Sequence, residues 1–365
     1  MLIIAQKRTK DMAEATAKTS LKATKRRRSR FRSLAFQEAL WGYIFTLPIF
    51  LIFFVLFLGL PILFTFYITF FNWDGLTPLK ELKFVGLFNY RRILSGMVMV
   101  AQDVIVNSRV GSLLGLRPIL NLPQADTRAA YSYWHAAEFT IGALIGQLSL
   151  GLALALLVHH TRRWVGFARL VFFMPVVLPG VAINLLFGNV LYNPRWGVLA
   201  QIFEMIHMPE FIVHLLGGPT WLLNPQTAMR AIVVMQVWQW AGYYMILFLA
   251  GLQGIPNTFY EAAKVDGANA LQRFRHVTIP MLRPTLALCL VLNIIGSMQV
   301  FTPVQMMTQG GPARATEVTV LLMFNTTFGY FKYSYGATMA MILFFIILIL
   351  SLLQLRLLRA GEEVL

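Results

Sequence analysis

Ile255-Pro-Asn-Thr-Phe-Tyr-Glu-Ala-Ala-Lys-Val-Asp-Gly-Ala-Asn-Ala-Leu-Gln-Arg-Phe-Arg-His-Val-Thr-Ile-Pro280 is a polar stretch set between two apolar runs, Ala228 to Leu252 before it and about Pro284 to Val304 after it. Within it, Thr258 and Glu261 have capping-box spacing, the hydroxyl and the carboxylate each able to satisfy a free backbone N–H, so a helix is predicted from about Phe259. Gly267 can take the left-handed conformation that ends this helix, and Pro280 is expected to stop a second one before the next apolar run. Two short helices meeting at one glycine form a rigid knob. Two uses compete for such a knob: a dock for another protein that pushes on it, or an amphipathic helix lying in a membrane interface.

Outward from the knob the chain is too apolar for a soluble globule. Of its 365 residues 58% are hydrophobic and 13% charged, whereas soluble domains carry roughly a quarter charged residues. The only cysteine, Cys289, excludes a disulfide scaffold and a cysteine zinc module. The net charge of +16 is concentrated in the N-terminal tail, which points to membrane orientation and away from nucleic acid.

Runs long enough to cross about 30 Å of hydrocarbon predict an all-α integral membrane fold with six transmembrane helices. The spans lie within Trp41 to Phe71, His135 to Val158, Leu170 to Leu191, Ala228 to Leu252, Pro284 to Val304 and Gly336 to Leu357. Pro48 and Pro61 are expected to kink the first. Pro175 and Pro179 leave backbone groups of the third in need of substitute partners, which places it beside a cavity. Residues 1–38 read as a basic, disordered tail at anionic headgroups, and 39–365 as the transmembrane domain. Residues 72–134 form a long outer loop. In that loop Val104 to Leu120 is broken by Asn107, Ser108 and Arg109 and is left outside the bilayer. The apolar run after the tail is too long, and too poor in small residues at its end, for a cleaved signal.

The eleven Lys and Arg residues before Trp41 put the tail in the cytoplasm. Six spans then return the C-terminus to the same side, together with Arg162, Arg163 and Arg169, with Lys264, Arg273, Arg275 and Arg283 of the knob, and with Arg356 and Arg359. On the fourth span Gln236, Gln239, Trp240 and Tyr243 fall at i, i+3, i+4 and i+7, and on the fifth Asn293 and Ser297 are one turn apart. Amides and hydroxyls match sugar hydroxyls, and an aromatic ring matches the C–H face of a pyranose. The competing role of the same groups is interhelical hydrogen bonding. Trp238 and Tyr244 lie on other faces and read as packing or subunit-interface residues, with Asn184 of the third span a lesser lining candidate. Neither stripe carries Lys or Arg, which favours an uncharged sugar over glycerol phosphate. His159 and His160, beside Arg162 and Arg163, read as solvent or headgroup residues rather than metal ligands.

The spacing Glu261-Ala-Ala-X3-Gly267-X9-Val277-X-Ile279-Pro280 closely resembles the EAA signature of importer-type ABC transporter permeases, with Val277 where the family usually has Ile and Ile279 where it has Leu. Phe84-Val-Gly-Leu-Phe-Asn-Tyr90, Gly151-Leu-Ala-Leu-Ala, Phe172-Phe-Met-Pro175 and Thr308-Gln-Gly-Gly-Pro312 are similar to the sugar-permease branch, of the maltose and glycerol-phosphate type. The resemblance covers about Leu40 to Leu358, apart from a stretch from about Ser95 to Ala130.

That resemblance implies a permease subunit of a bacterial or archaeal cytoplasmic membrane, paired with a second permease, two ATPase subunits and an extracytoplasmic solute-binding protein. It implies that the knob docks on the ATPase through Glu261, Ala262, Ala263, Asp266 and Gly267. It also implies that the fourth and fifth spans line the path, and that the turn at Gly310, Gly311 and Pro312 faces the binding protein. No Gly-X4-Gly-Lys-Ser/Thr loop occurs, so ATP and Mg belong to the partner ATPase, and no cofactor or catalytic residue is assigned to this chain. Glycerol phosphate or another polyol is the rival cargo. A membrane-embedded lipid-modifying enzyme is the rival class.

Overall fold

The computed structural model describes residues 37–48, 50–107, 122–160, 165–193, 196–215 and 220–359. The basic tail through residue 36, the loop with Arg162 and Arg163, and most of Val104 to Leu120 lie outside them. The chain forms two units, Met1–Thr65 and Phe66–Leu365. In the first, the described residues belong to helix α1 (Gln37–Ile68), which runs on into the second unit. Its large apolar side chains from Leu40 to Leu63 are exposed, as befits a helix greasy on all sides that needs lipid or protein around it. Pro48 and Pro61 do not break it. The wide turns Phe53–Gly59 just before Pro61 absorb the missing hydrogen bond.

The second unit opens with a small antiparallel pair, β1 (Phe71–Asn72) and β2 (Lys83–Phe84). In the turn between them the N–H groups of Leu76 and Thr77 donate to Asp74 at 3.0 and 2.8 Å. Those bonds, Thr77 foremost, hold its carboxyl below the usual range. The long loop of residues 72–134 is not plain loop, because α2 (Phe88–Val106) packs on α3 (Thr127–His160) with Ile93 fully buried. α3 starts eight residues before the expected His135, since Asp126 caps it by accepting the Ala129 N–H at 2.9 Å. Counting apolar residues finds the lipid-facing stretch, and the polar first turns lie beyond it.

The third span is two helices, α4 (Val165–Val177) and α5 (Gly180–Leu191), bent by 90° at Leu178 and Pro179. Short helices α6 (Val198–Met205) and α7 (Glu210–Leu215) follow, then the straight α8 (Ala228–Gln253). α8 runs along α3 at close range: a Cβ on Gly151 would stand 2.7 Å from Tyr244 Cβ. Next come α9 (Asn257–Val265), α10 (Ala270–Met281) and α11 (Arg283–Met298), the last two bent by 66°. The fifth span therefore ends at Met298, short of the expected Val304, which sits on a separate helix α12 (Thr302–Met307). α13 (Thr319–Gly329) leads to α14 (Tyr333–Arg359).

Among the described residues four helices, α1, α3, α8 and α14, are long and apolar enough to cross a membrane, and the two bent pairs bring the count to six. The core is layered along these helices. Val158, Phe248, Leu252, Leu282 and Cys289 cluster at the end carrying α9 and α10. Ala129, Tyr133, Met298, Leu322 and Met339 cluster toward the opposite end. Full burial of such side chains contributes about 1.5–3 kcal/mol each in water, but in lipid the close fit between helices replaces most of that term.

Candidate functional site: a neutral cavity and an anchored knob

The bend at Pro179 turns α5 inward against α8, and a cavity of about 510 Å³ lies there, between α3, α5, α8 and α11. All six stripe residues line it: Gln236, Gln239, Trp240 and Tyr243 from α8, Asn293 and Ser297 from α11. Trp240 and Tyr243 meet edge to face at 5.9 Å. Tyr243 and Tyr244 do the same at 5.3 Å, so the three rings form one wall. Tyr244 is thus a lining residue as well as a buried packing one, which corrects its reading as a packing or subunit-interface residue with no part in the lining. Trp238 packs outside the cavity, on Phe187 at 5.2 Å.

Gln147 of α3 went unrecognised in the sequence, although it is the one amide in its span. Asn293 Nδ2 donates to Gln147 Oε1 at 2.7 Å, Ser297 Oγ donates to Asn293 Oδ1 at 3.3 Å, and Gln147 Nε2 donates to the Gln236 carbonyl at 3.2 Å. Hydrogen bonding between helices and cavity lining therefore coexist in the α11 stripe. Asn184 is brought in by the bend and is 1% exposed. Its Oδ1, and Oε1 of Gln236, are buried acceptors with no hydrogen-bond partner among the described residues. A buried acceptor left unpaired costs about 1–3 kcal/mol. Among the described residues, none that lines the cavity carries a charge.

The knob differs in detail from its sequence reading. α9 starts at Asn257 with Pro256 as its N-cap, and no side chain caps it, so the Thr258–Glu261 box does not form. Pro256 already fixes the entry of the chain, which leaves the Glu261 carboxylate exposed. The box forms instead at α10, where Asn269 accepts the Gln272 N–H at 2.9 Å and its own N–H donates to Gln272 Oε1 at 2.8 Å. Gly267, at φ +79°, closes α9 as expected. Its N–H donates to the Lys264 carbonyl and that of Ala268 to Ala263, at 3.0 and 2.9 Å, the paired bonds of a Schellman ending. Pro280 does not stop α10, which continues to Met281, and the break falls at buried Leu282.

Tyr260 Oη and Thr278 Oγ1 lie 3.1 Å apart and tie α9 to α10, while Ile255 and Leu282 root the knob in the core. Outward, Glu261, Ala262, Asp266 and Gly267 are exposed and Ala263 half-buried. Val265 and Leu271 stand 88% and 74% exposed. Ala263, Asp266 and Gly267 border a groove with Arg273, His276 and Val277. Tyr260→Phe is expected to loosen the knob by about 1 kcal/mol, the worth of one hydrogen bond. Faster amide exchange across 257–281, with the spans unchanged, is the check.

Gly310, Gly311 and Pro312 sit at the opposite end in a cross-tied turn. The Gly311 N–H donates to the Thr308 carbonyl at 2.9 Å, and Thr316 Oγ1 donates to the Gly311 carbonyl at 2.7 Å. Residues 261–267, the cavity and this turn occupy three levels of the bundle.

Residues 147–360 match the family described as the binding-protein-dependent transport system inner membrane component. The chain is 29% identical over 329 residues to the probable ABC transporter permease protein YurN of Bacillus subtilis, covering 90% of this chain and 99% of that one. It is also 29% identical to the trehalose/maltose transport system permease protein MalF of Thermococcus litoralis, covering 88% of this chain and 95% of the relative. Its fold is similar to that of a bacterial ABC transporter importing the acidic polysaccharide alginate, with TM-score 0.56 and 17% identity over 73% of this chain and 95% of the other. With its apolar spans, bent helices and projecting knob, this chain belongs to the family of binding-protein-dependent transport system inner membrane components.

Proposed function

We propose that the chain is one half of the membrane channel of an ATP-driven importer, and that its cargo is a neutral di- or oligosaccharide. The observation that carries the cargo is the uncharged cavity, in which amides from α3, α5, α8 and α11 face a wall of three aromatic rings. Glycerol phosphate would need cations there, and none lines the cavity among the described residues. The trehalose/maltose system to which the Thermococcus relative belongs supports the same cargo class. Trp240, 37% exposed, stands at the open side, where a second permease subunit closes the cavity.

The positive-inside rule sets both termini and the knob in the cytoplasm and the Gly310–Pro312 turn outside, facing a solute-binding protein. Glu261, Ala262, Ala263, Asp266 and Gly267 then receive the stroke of an ATPase subunit, which holds the ATP and Mg. The test is uptake of labelled sugars into vesicles carrying the whole complex. Asn293→Leu and Asn184→Ala are each expected to lower uptake about tenfold, one hydrogen bond to a buried polar group being worth about 1–3 kcal/mol, with insertion unchanged. Saturable uptake of glycerol phosphate in preference to any neutral sugar would sink the cargo assignment.

A further inference from the structure

Three glycines of α3 face α8 at close range. A Cβ added at Gly142 would stand 3.0 Å from Val233, one at Gly151 2.7 Å from Tyr244, and one at Gly146 would run into Val237, so helix contact explains all three. Gly296 of α11 has no such reason. Nothing lies within 4 Å of a Cβ there, and its φ is not positive, so neither packing nor backbone conformation within this chain asks for glycine. Glycine inside a helix is also less stable than alanine. Gly296 nonetheless lines the cavity of about 510 Å³, and it is exposed there.

The neighbours of Gly296 define what a guest meets on α11. Asn293 and Ser297 are 1% and 7% exposed, and Asn293 is bonded to Gln147 of α3 and to Ser297. The part of the helix left open in the cavity is Leu292, 36% exposed, and the bare backbone at Gly296 one turn on. A helical side chain covers the turn before its own Cα, so glycine here leaves the turn at Leu292 and Asn293 uncovered, as a notch. Each carbonyl of that turn has two lone pairs, of which the helix uses one. A sugar ring settling in the notch can donate a hydroxyl to the other, and can lie closer to the helix than a side chain at position 296 would allow.

We propose that Gly296 is a specificity-determining residue: the notch it leaves admits one more sugar ring and so sets the largest carbohydrate that the cavity passes. The inference rests on the proposed importer function and its neutral cargo. The test measures uptake of a panel of labelled neutral mono-, di- and trisaccharides into proteoliposomes carrying the whole transporter with its binding protein. Uptake of the largest sugar that the wild type carries is expected to fall through Gly296→Ala, Gly296→Leu and Gly296→Phe, reaching about tenfold, and to fall further than uptake of smaller ones. Leu292→Ala added to Gly296→Leu should return part of it by opening space one turn away, which loss of folding would not allow. The melting midpoint of Gly296→Ala should not drop, since alanine is the better helix former. A lowered midpoint makes Gly296 a packing position and overturns the inference. Release of the second permease subunit by Gly296→Leu assigns the notch to a subunit contact and also overturns it. So does a wild type limited to monosaccharides, uptake indifferent to the side chain at position 296, or equal loss for every sugar size, each of which leaves the importer function standing. A wild type that carries no neutral sugar defeats the cargo assignment itself.

Discussion

Glu261→Lys is expected to abolish coupled uptake while the protein stays inserted and the assembled ATPase still turns over. α9 presents this carboxylate exposed on a helix tied down by Tyr260, Thr278 and the Gly267 ending, so force applied there passes into α8 and α11. Truncating one partner of a desolvated charge pair costs about 2–5 kcal/mol, and reversal adds repulsion, so uptake should fall more than about tenfold. Gly267 provides a second arm. At φ +79° a β-branched residue is strained, whereas Asn tolerates the left-handed region. Since nothing lies within 4 Å of a Cβ at Gly267, Gly267→Asn should keep most transport and Gly267→Val should lose it. Normal uptake in Glu261→Lys, measured beside ATP hydrolysis in proteoliposomes, would show that the knob does not couple.

Gly242→Val is expected to produce the largest loss of stability. α8 meets the backbone of α4 at Gly242, where an added Cβ would be driven into the Phe172 carbonyl, a rigid group that cannot rotate aside. Overpacking a fitted interior costs about 1–3 kcal/mol, and a backbone obstacle puts this site at the upper end. The melting midpoint of the purified protein should drop by roughly 5 °C, with Gly242→Ala lower by less. Because α4 leads into α5, the same displacement withdraws Asn184 from the cavity, so sugar uptake should fall with stability. An unchanged midpoint for Gly242→Val would mean that the two helices do not approach so closely.

Much of the site was legible because its signals are local. Gln236, Gln239, Trp240 and Tyr243 repeat with helical period, so a regular α8 puts them on one face wherever it packs. The left-handed turn at Gly267 follows from the one residue that adopts it at no steric cost. The misreadings share a cause. Thr258 and Glu261 have capping spacing, but Pro256 set the helix start first, and the same bonds formed around Asn269 and Gln272. Pro280 was expected to stop α10, yet the wide turns Phe274–Thr278 let the helix pass through it.

The sequence by itself determined the apolar spans, the knob and the two polar stripes, because hydropathy and helical period are set by neighbours a few residues apart. Only the tertiary structure decided that Gln147, Asn184 and Tyr244 join those stripes around one cavity, and that Arg128 clamps Glu317 across 189 residues. A 90° bend and a glycine-mediated helix contact bring these groups together, and the distances they create appear only once the helices have packed.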